Sequence, residues 1–261
     1  GLFVSMLVIT PCPAWTESPS FEAALDAFLQ EREAHDFSGA VVVERGGEVV
    51  YARYSGMANR ALGVPWSEST VFSIGSITKP MTAAAIVRLH VDGKLSVNES
   101  IGRWIPGLPG DKRAITIHHL LTHSAGVPEA FGDDFDPAAT REWLLERFRA
   151  CTLLWGPDDF GRNYQYSNVG YSLLAVIIEA ASGLPYEEYL NTALFNPAGM
   201  SMTGYTNTNW RPADFAHGYR SGKDIGVVAL KHALPDGPSW NLRGNGGICT
   251  TTVDLLRWTR A

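Results

Sequence analysis

The sequence predicts a mixed fold of the α/β (α+β) class, an antiparallel sheet lobe with an all-helical lobe inserted into it. Three observations point there. A segment of helical period is followed by two β-rich runs that meet at Gly46-Gly47, a hairpin signature. From about Pro65 to about residue 205 the pattern turns helical. After Gly204 it loosens into loops and weak strands before one last helix.

The elements follow in order. Residues 20–34 are expected as the first helix, because Phe21, Ala24, Leu25, Phe28 and Leu29 fall at helical spacing and Ser20 can cap the start. Residues 39–45 and 48–54 are the hairpin strands. Residues 78–91 carry Met81, Ala84, Ala85, Val87 and Leu89 on a helix that stops at Asp92-Gly93. Residues 116–122 form a short helix that Ala125-Gly126 ends. Asp136-Pro137 opens another, with Trp143, Leu144, Leu145 and Phe148 on it. Residues 168–181 are strongly apolar and end at Ser182-Gly183. Pro185 starts a helix that runs to about Leu194. The last begins near Thr251 or Thr252 and carries Leu255, Leu256 and Trp258. A two-strand hairpin is marginal alone, so something must complete that sheet. Residues 20–64 and 206–261 are assigned to the sheet lobe and residues 65–205 to the helical lobe. The catalytic cleft is expected between them.

The chain has 261 residues, enough to bury a sizeable core in one domain or two packed lobes. Hydrophobic residues make up 45% and charged residues 18%, as in an ordinary globular enzyme. No repeat at a fixed period is present. The net charge is −6 with no basic stretch, which argues against a nucleic-acid partner. Residues 1–19 resemble a signal-peptide remnant: Leu2 to Ile9 is apolar and runs into Pro11-Cys12-Pro13-Ala14-Trp15. That implies export, to a bacterial-type periplasm or outside the cell, and membrane contact only through such a signal or anchor. Cys12 would suit a lipid anchor, although Pro11 is a poor fit to the small residue expected before it. Of the three cysteines, Cys151 and Cys249 are most simply buried thiols. No spacing suggests a metal knuckle.

Chemistry concentrates in Ser76-Ile77-Thr78-Lys79, taken with Tyr166-Ser167-Asn168. Pro80 is tolerated only near a first helical turn, which places a helix start close to Ser76. The serine hydroxyl then sits at the positive end of a helix dipole, worth up to ~1–2 kcal/mol to a developing alkoxide. Lys79, three residues on, shares a face with Ser76. A serine needs an adjacent base, and a lysine serves only with a lowered pKa or a second base. Tyr166 is the natural second base, since a phenolate is favoured beside Lys79. Asn168 offers an amide to orient a substrate amide or the lysine. By itself S-x-x-K is also an ordinary helix start.

Four segments in order resemble the serine β-lactamase and penicillin-binding-protein superfamily on its class C side. They are residues 72–80, around Ser76-Ile77-Thr78-Lys79; residues 115–126, with Leu121-Thr122-His123-Ser124-Ala125-Gly126; residues 166–171, Tyr166-Ser167-Asn168-Val169-Gly170-Tyr171; and residues 246–255, opening on Gly246-Gly247. The resemblance runs from the hairpin at Gly39 to the C-terminus. It implies a β-lactamase/transpeptidase-like fold and a serine hydrolase that needs no cofactor. Ser76 is then the nucleophile, Lys79 its activator, Tyr166 the general base and Asn168 a substrate contact. The Ser76 backbone N–H is half of the oxyanion hole. The third motif of the family, Lys-Thr-Gly or a His-containing variant, has no candidate between Gly204 and Ala261. The second oxyanion donor is therefore missing, which costs ~2.7–4 kcal/mol of transition-state stabilisation. We expect a chain truncated at both ends, without its C-terminal strands.

The implied substrates are small molecules or peptidoglycan-type compounds, as β-lactam or D-Ala-D-Ala-type amides. A carboxylesterase, a D-aminopeptidase, and a non-catalytic relative or inactive fragment stand as alternatives. Weaker signals have plainer readings. His119 and His123 are four apart on an expected helix, but no H-E-x-x-H pattern accompanies them; no metal is expected, and a structural role near the Thr122-Ser124 turn is the plainer reading. Asp133, Asp134 and Asp136 read as a solvated loop. Trp155, Tyr164 and Tyr171 suit either a substrate cleft or core packing. No G-x-S-x-G surrounds Ser76.

Overall fold

The computed structural model describes residues 20–133, 139–207, 209–227, 230, 234 and 237–261. The signal-peptide assignment, Cys12, Asp134 and the Asp136-Pro137 helix start lie outside the described residues. The family of folds expected from the sequence is the one adopted, with helical and strand elements mixed.

Helix α1 (Phe21–Glu33) is capped by Ser20, whose hydroxyl accepts the Ala23 N–H at 3.2 Å. The hairpin follows as β1 (Gly39–Arg45) and β2 (Glu48–Ser55), antiparallel, with Val42 opposite Ala52. Its turn places Gly46 at φ +62° and Gly47 at φ +87°, a pair of left-handed positions that matches strand twist and suits glycine. The expected apolar face of α1 is not what docks it. Only Leu29 is buried, while Phe21 and Phe28 are exposed beneath the guanidinium groups of Arg45 and Arg32. Instead Asp26 accepts from the Tyr51 hydroxyl at 2.6 Å, and Glu33 takes a bidentate pair from Arg53 at 2.8 Å. Polar residues on both partners thus hold helix to strand, which an apolar-periodicity argument does not see.

Three further strand pairs are very short. β3 (Met57–Asn59) pairs β4 (Val64–Pro65), and β5 (Phe72–Ser73) pairs β8 (Cys249–Thr250). β6 (Gly218–Arg220) pairs β7 (Lys223–Gly226). Among the described residues no third strand completes the first hairpin. Helix α7 (Thr252–Arg260) crosses it, tied by Arg260 to Glu44 at 2.6 Å. The buried Asp254 carboxylate anchors α7, accepting from Met202 N–H at 2.7 Å and the Thr203 hydroxyl at 2.9 Å.

The core lies among the helices. In α5 (Asn168–Ser182) every residue from Val169 to Ile178 is buried, so it is apolar all round rather than amphipathic. Gly183, at φ +75°, stops it. Around it pack α2 (Thr78–Val91), α3 (Ile117–Leu121), α4 (Arg141–Ala150) and α6 (Tyr186–Leu190), the last continued by a π-helical turn, Asn191–Phe195. Met81 and Leu89 of α2, Leu120 of α3 and Phe148 of α4 all join the same buried cluster. No single described helix is long and apolar enough to cross a membrane.

Candidate active site

The short β5–β8 pair positions the site. It carries the chain from Ser73 through a 3₁₀ turn, Gly75–Ile77, directly into α2. Ser76 lies on that turn, exposed, and Lys79 lies on the first turn of α2 with 4% of its surface exposed. Pro80 falls in the same first turn, where no helical partner is lost. Residues 244–248 lie across this helix start. The Thr82 hydroxyl donates to the Gly244 carbonyl at 2.6 Å, and the Ile248 N–H donates to Thr78 Oγ1 at 3.3 Å. Gly244 has φ +85°, and a Cβ there would sit 2.5 Å from the Tyr171 carbonyl oxygen. Only glycine lets the two backbones approach so closely.

Two donors converge on the Ser76 hydroxyl oxygen. Lys79 Nζ donates at 3.0 Å and the Tyr166 hydroxyl at 2.8 Å. Lys79 also donates to the Asn245 carbonyl at 2.8 Å, and its Nζ stands 4.7 Å from the Tyr166 ring centre and 5.8 Å from that of Tyr171. The ammonium is thus dehydrated but fully engaged, as a buried charge must be. An oxygen that accepts two hydrogen bonds, one from a cation, is one on which negative charge is stabilised. The two neighbouring tyrosines differ. Burial pushes the Tyr171 phenol up, and its hydroxyl donates to the Leu121 carbonyl at 3.1 Å. Tyr166 instead spends its hydroxyl on Ser76.

Tyr166 is set by the start of α5. Ser167 caps that helix, accepting the Gly170 N–H at 2.9 Å, and its own N–H donates to His123 Nδ1 at 3.0 Å. Burial, then the nearby Lys79 charge, lowers the His123 pKa from its ordinary value. Asn168 lines the cleft into which Ser76 opens, a space of about 460 Å³. Its walls come from Trp66, Phe72, Ser73 and Gly75, from residues 216–218 and 226–227, and from Leu242 and residues 245–247.

Ser76, Lys79 and Tyr166 therefore meet as expected, with Asn168 on the same cleft. Three groups escaped the sequence. The Asn245 carbonyl is backbone, which no residue type announces. His123 is expected four residues from His119 on a helix, with a structural role near the Thr122-Ser124 turn, but α3 ends at Leu121 and His123 has φ +58°, so His119 and His123 do not share a helical face. His119 packs against Phe160, and its Nδ1 accepts the Thr116 N–H at 3.2 Å. His217 lines the cleft with both nitrogens engaged, by Asn59 at 3.1 Å and by Asp224 at 2.8 Å. That bond, with the Gly226 N–H, holds the Asp224 carboxyl below its usual range. Of the aromatics left open, Tyr171 packs in the core, Trp155 donates to the Ser124 carbonyl at 3.3 Å and Tyr164 is exposed. Cys249 is buried, its thiol pushed up to about 12 by burial. Cys151 is only half-buried, more open than expected.

Comparison with known proteins adds an independent line. The family model described as Beta-lactamase matches residues 23–261. Penicillin-binding protein 4* of Bacillus subtilis (strain 168) is 32% identical over 88% of this chain and 53% of its own length. Esterase EstB of Burkholderia gladioli is 30% identical over 85% of this chain and 61% of its own. Among solved structures, the octameric penicillin-binding protein homologue from Pyrococcus abyssi superposes with a TM-score of 0.74 at 30% identity, over 91% of this chain and 55% of that one. A class C beta lactamase superposes with a TM-score of 0.75 at 25% identity, over 90% and 62%. The chain spans between half and two thirds of the length of these relatives.

Proposed function

The chain belongs to the beta-lactamase family, and from that premise we propose that it is the acylating part of a serine hydrolase with Ser76 as nucleophile. One observation carries the reading: the Ser76 oxygen, at the mouth of an open cleft, receives both the Lys79 ammonium and the Tyr166 hydroxyl. Ser76 Oγ attacks the carbonyl carbon of a carboxylic acid derivative. Tyr166, 2.8 Å from Ser76 Oγ, acts as the general base: it takes the serine proton and passes it to the leaving group as the carbon–nitrogen or carbon–oxygen bond breaks. Water, giving a proton to the same residue, then attacks the Ser76 ester, and that proton returns to Ser76 Oγ as the acyl–oxygen bond breaks. The Ser76 backbone N–H, at the start of the helical segment, serves the oxyanion, and Asn168 orients the acyl side of the substrate. Tyr171, kept protonated by burial, is not the base.

The substrates proposed are β-lactam or D-Ala-D-Ala-type amides, in keeping with the penicillin-binding and class C relatives. A carboxylesterase activity is the second reading. It is favoured by the EstB similarity and by the apolar walls that Trp66, Phe72, Val227 and Leu242 give the cleft. The test is intact-mass analysis of the full-length protein after exposure to a penicillin, a D-Ala-D-Ala peptide and an activated aryl ester. A Ser76-dependent adduct is expected, and the fastest probe separates the readings. Ser76→Ala should lower kcat by about 10⁶. Turnover retained in that variant refutes the assignment.

A further inference from the structure

We propose that His123 is the positioning residue for Tyr166, an inference that rests on the serine-hydrolase reading above. The geometry around residue 166 is a clamp with one owner. The His123 carbonyl accepts the Gln165 N–H at 2.9 Å, and His123 Nδ1 accepts the Ser167 N–H at 3.0 Å. These are the residues on either side of Tyr166. Between the two bonds the His123 imidazole lies against the phenol, with ring centres 4.7 Å apart and planes 30° from parallel. One residue therefore fixes the backbone before the tyrosine, the backbone after it, and the tilt of its ring.

The arrangement has a structural requirement. His123 has φ +58°, a region that residues with a Cβ seldom use. That conformation lets both its carbonyl and its ring face the 165–167 segment. A helix continued through residue 123 would commit its carbonyl elsewhere.

The clamp also has a protonation requirement. Nδ1 can accept the Ser167 N–H only when it carries no proton, so the ring must be neutral with its hydrogen on Nε2. The groups that face the ring are Lys79 from α2, Tyr164 and Tyr166 from the segment before α5, and Tyr171 from α5. Burial, and then the Lys79 charge, favour the neutral form. Protonation sets an N–H against an N–H and releases the 167 side of the clamp. The phenol then loses its fixed place beside Ser76 Oγ.

Two substitutions separate the parts. His123→Phe keeps a ring for the stack and removes the acceptor. His123→Asn places an oxygen where Nδ1 stands, tolerates positive φ, and removes both the ring and the titration. Acylation by an aryl ester is followed from pH 8 down through the acid limb of the wild-type profile in the full-length protein, beside Ser76→Ala and Tyr166→Phe. Expected is a loss of about tenfold or more in the acylation rate of His123→Phe, with KM within about twofold. His123→Asn should raise the ratio of the acid-limb rate to the pH 8 rate over that of the wild type. A merely structural histidine would lower the active fraction and leave that ratio and KM untouched. Should His123→Phe fail to fold, His123→Asn alone decides. An unchanged pH ratio in His123→Asn, or wild-type acylation in a folded His123→Phe, overturns the inference while an inert Ser76→Ala leaves the hydrolase reading standing. Acylation of Ser76→Ala overturns both.

Discussion

Gly244→Ala tests whether residues 244–248 really hold the site together. A Cβ at residue 244 would stand 2.5 Å from the Tyr171 carbonyl oxygen and 2.8 Å from Ala175 Cβ, both on α5, where no flexible side-chain end can move aside. Overpacking of a dense site costs roughly 1–3 kcal/mol, and an alanine at positive φ adds about 1 kcal/mol. The sum, roughly 2–4 kcal/mol, corresponds to a fall in Tm of roughly 4–16 °C for a domain of this size. The consequence reaches the chemistry, because relief of the clash lifts the next residue, whose carbonyl accepts from Lys79 at 2.8 Å. Calorimetry of the full-length protein gives Tm, and aryl-ester turnover well below Tm gives kcat. Both should drop. A Tm within about 1 °C of the wild type, with kcat unchanged, would refute the close approach and with it the placement of Asn245.

Tyr166→Phe should lower kcat by about 10²–10⁴, whereas Tyr171→Phe should cost only about 1 kcal/mol of stability for its bond to the Leu121 carbonyl; equal losses of activity would contradict the assignment of the base. Asp254→Ala should destabilise by roughly 1–3 kcal/mol in urea, because it removes the acceptor of the half-buried Met202 N–H and one partner each of the buried Thr203 hydroxyl and of Arg257; a change under about 0.5 kcal/mol would contradict that anchoring. The pKa values of His119 and His123 are lowered by folding, so below pH 6.5 the unfolded chain binds more protons than the folded one. Stability from urea midpoints should be insensitive to these groups above pH 6.5 and fall as pH drops through that value. In His123→Asn the fall should be shallower, and an identical slope would show that His123 does not titrate as described.

Much of the frame was legible in the sequence because local rules govern it. The bounds of α2 follow from helical period and the Asp92-Gly93 stop, the hairpin follows from Gly46-Gly47, and Ser76 and Lys79 share a face because three residues nearly close a helical turn. What stayed hidden is long-range or backbone in nature. β5 and β8 are two residues each, too short for any pattern, and what pairs them is the packing of residues separated by most of the chain. The lysine's carbonyl partner has no side-chain signature. His123 reads as helical until the chain turns left-handed there. Phe21 and Phe28 misled for the opposite reason: their spacing is sound, yet the helix is held by carboxylates aimed at Tyr51 and Arg53.

The bond between Lys79 and the Asn245 carbonyl joins positions 166 residues apart. At synthesis rates of about 5–20 residues per second, the lysine is added to the chain roughly 8–33 s before its partner. Closing so long a loop has an entropic cost that grows with the logarithm of its length, and only the packed helical core makes it favourable. The helices around α5 can therefore gather while the contacts around Ser76 and Lys79 are still incomplete. The proposed competence for acyl transfer requires residues 244–250 to join them. A nascent chain halted before them should be compact yet inert toward an acylating probe.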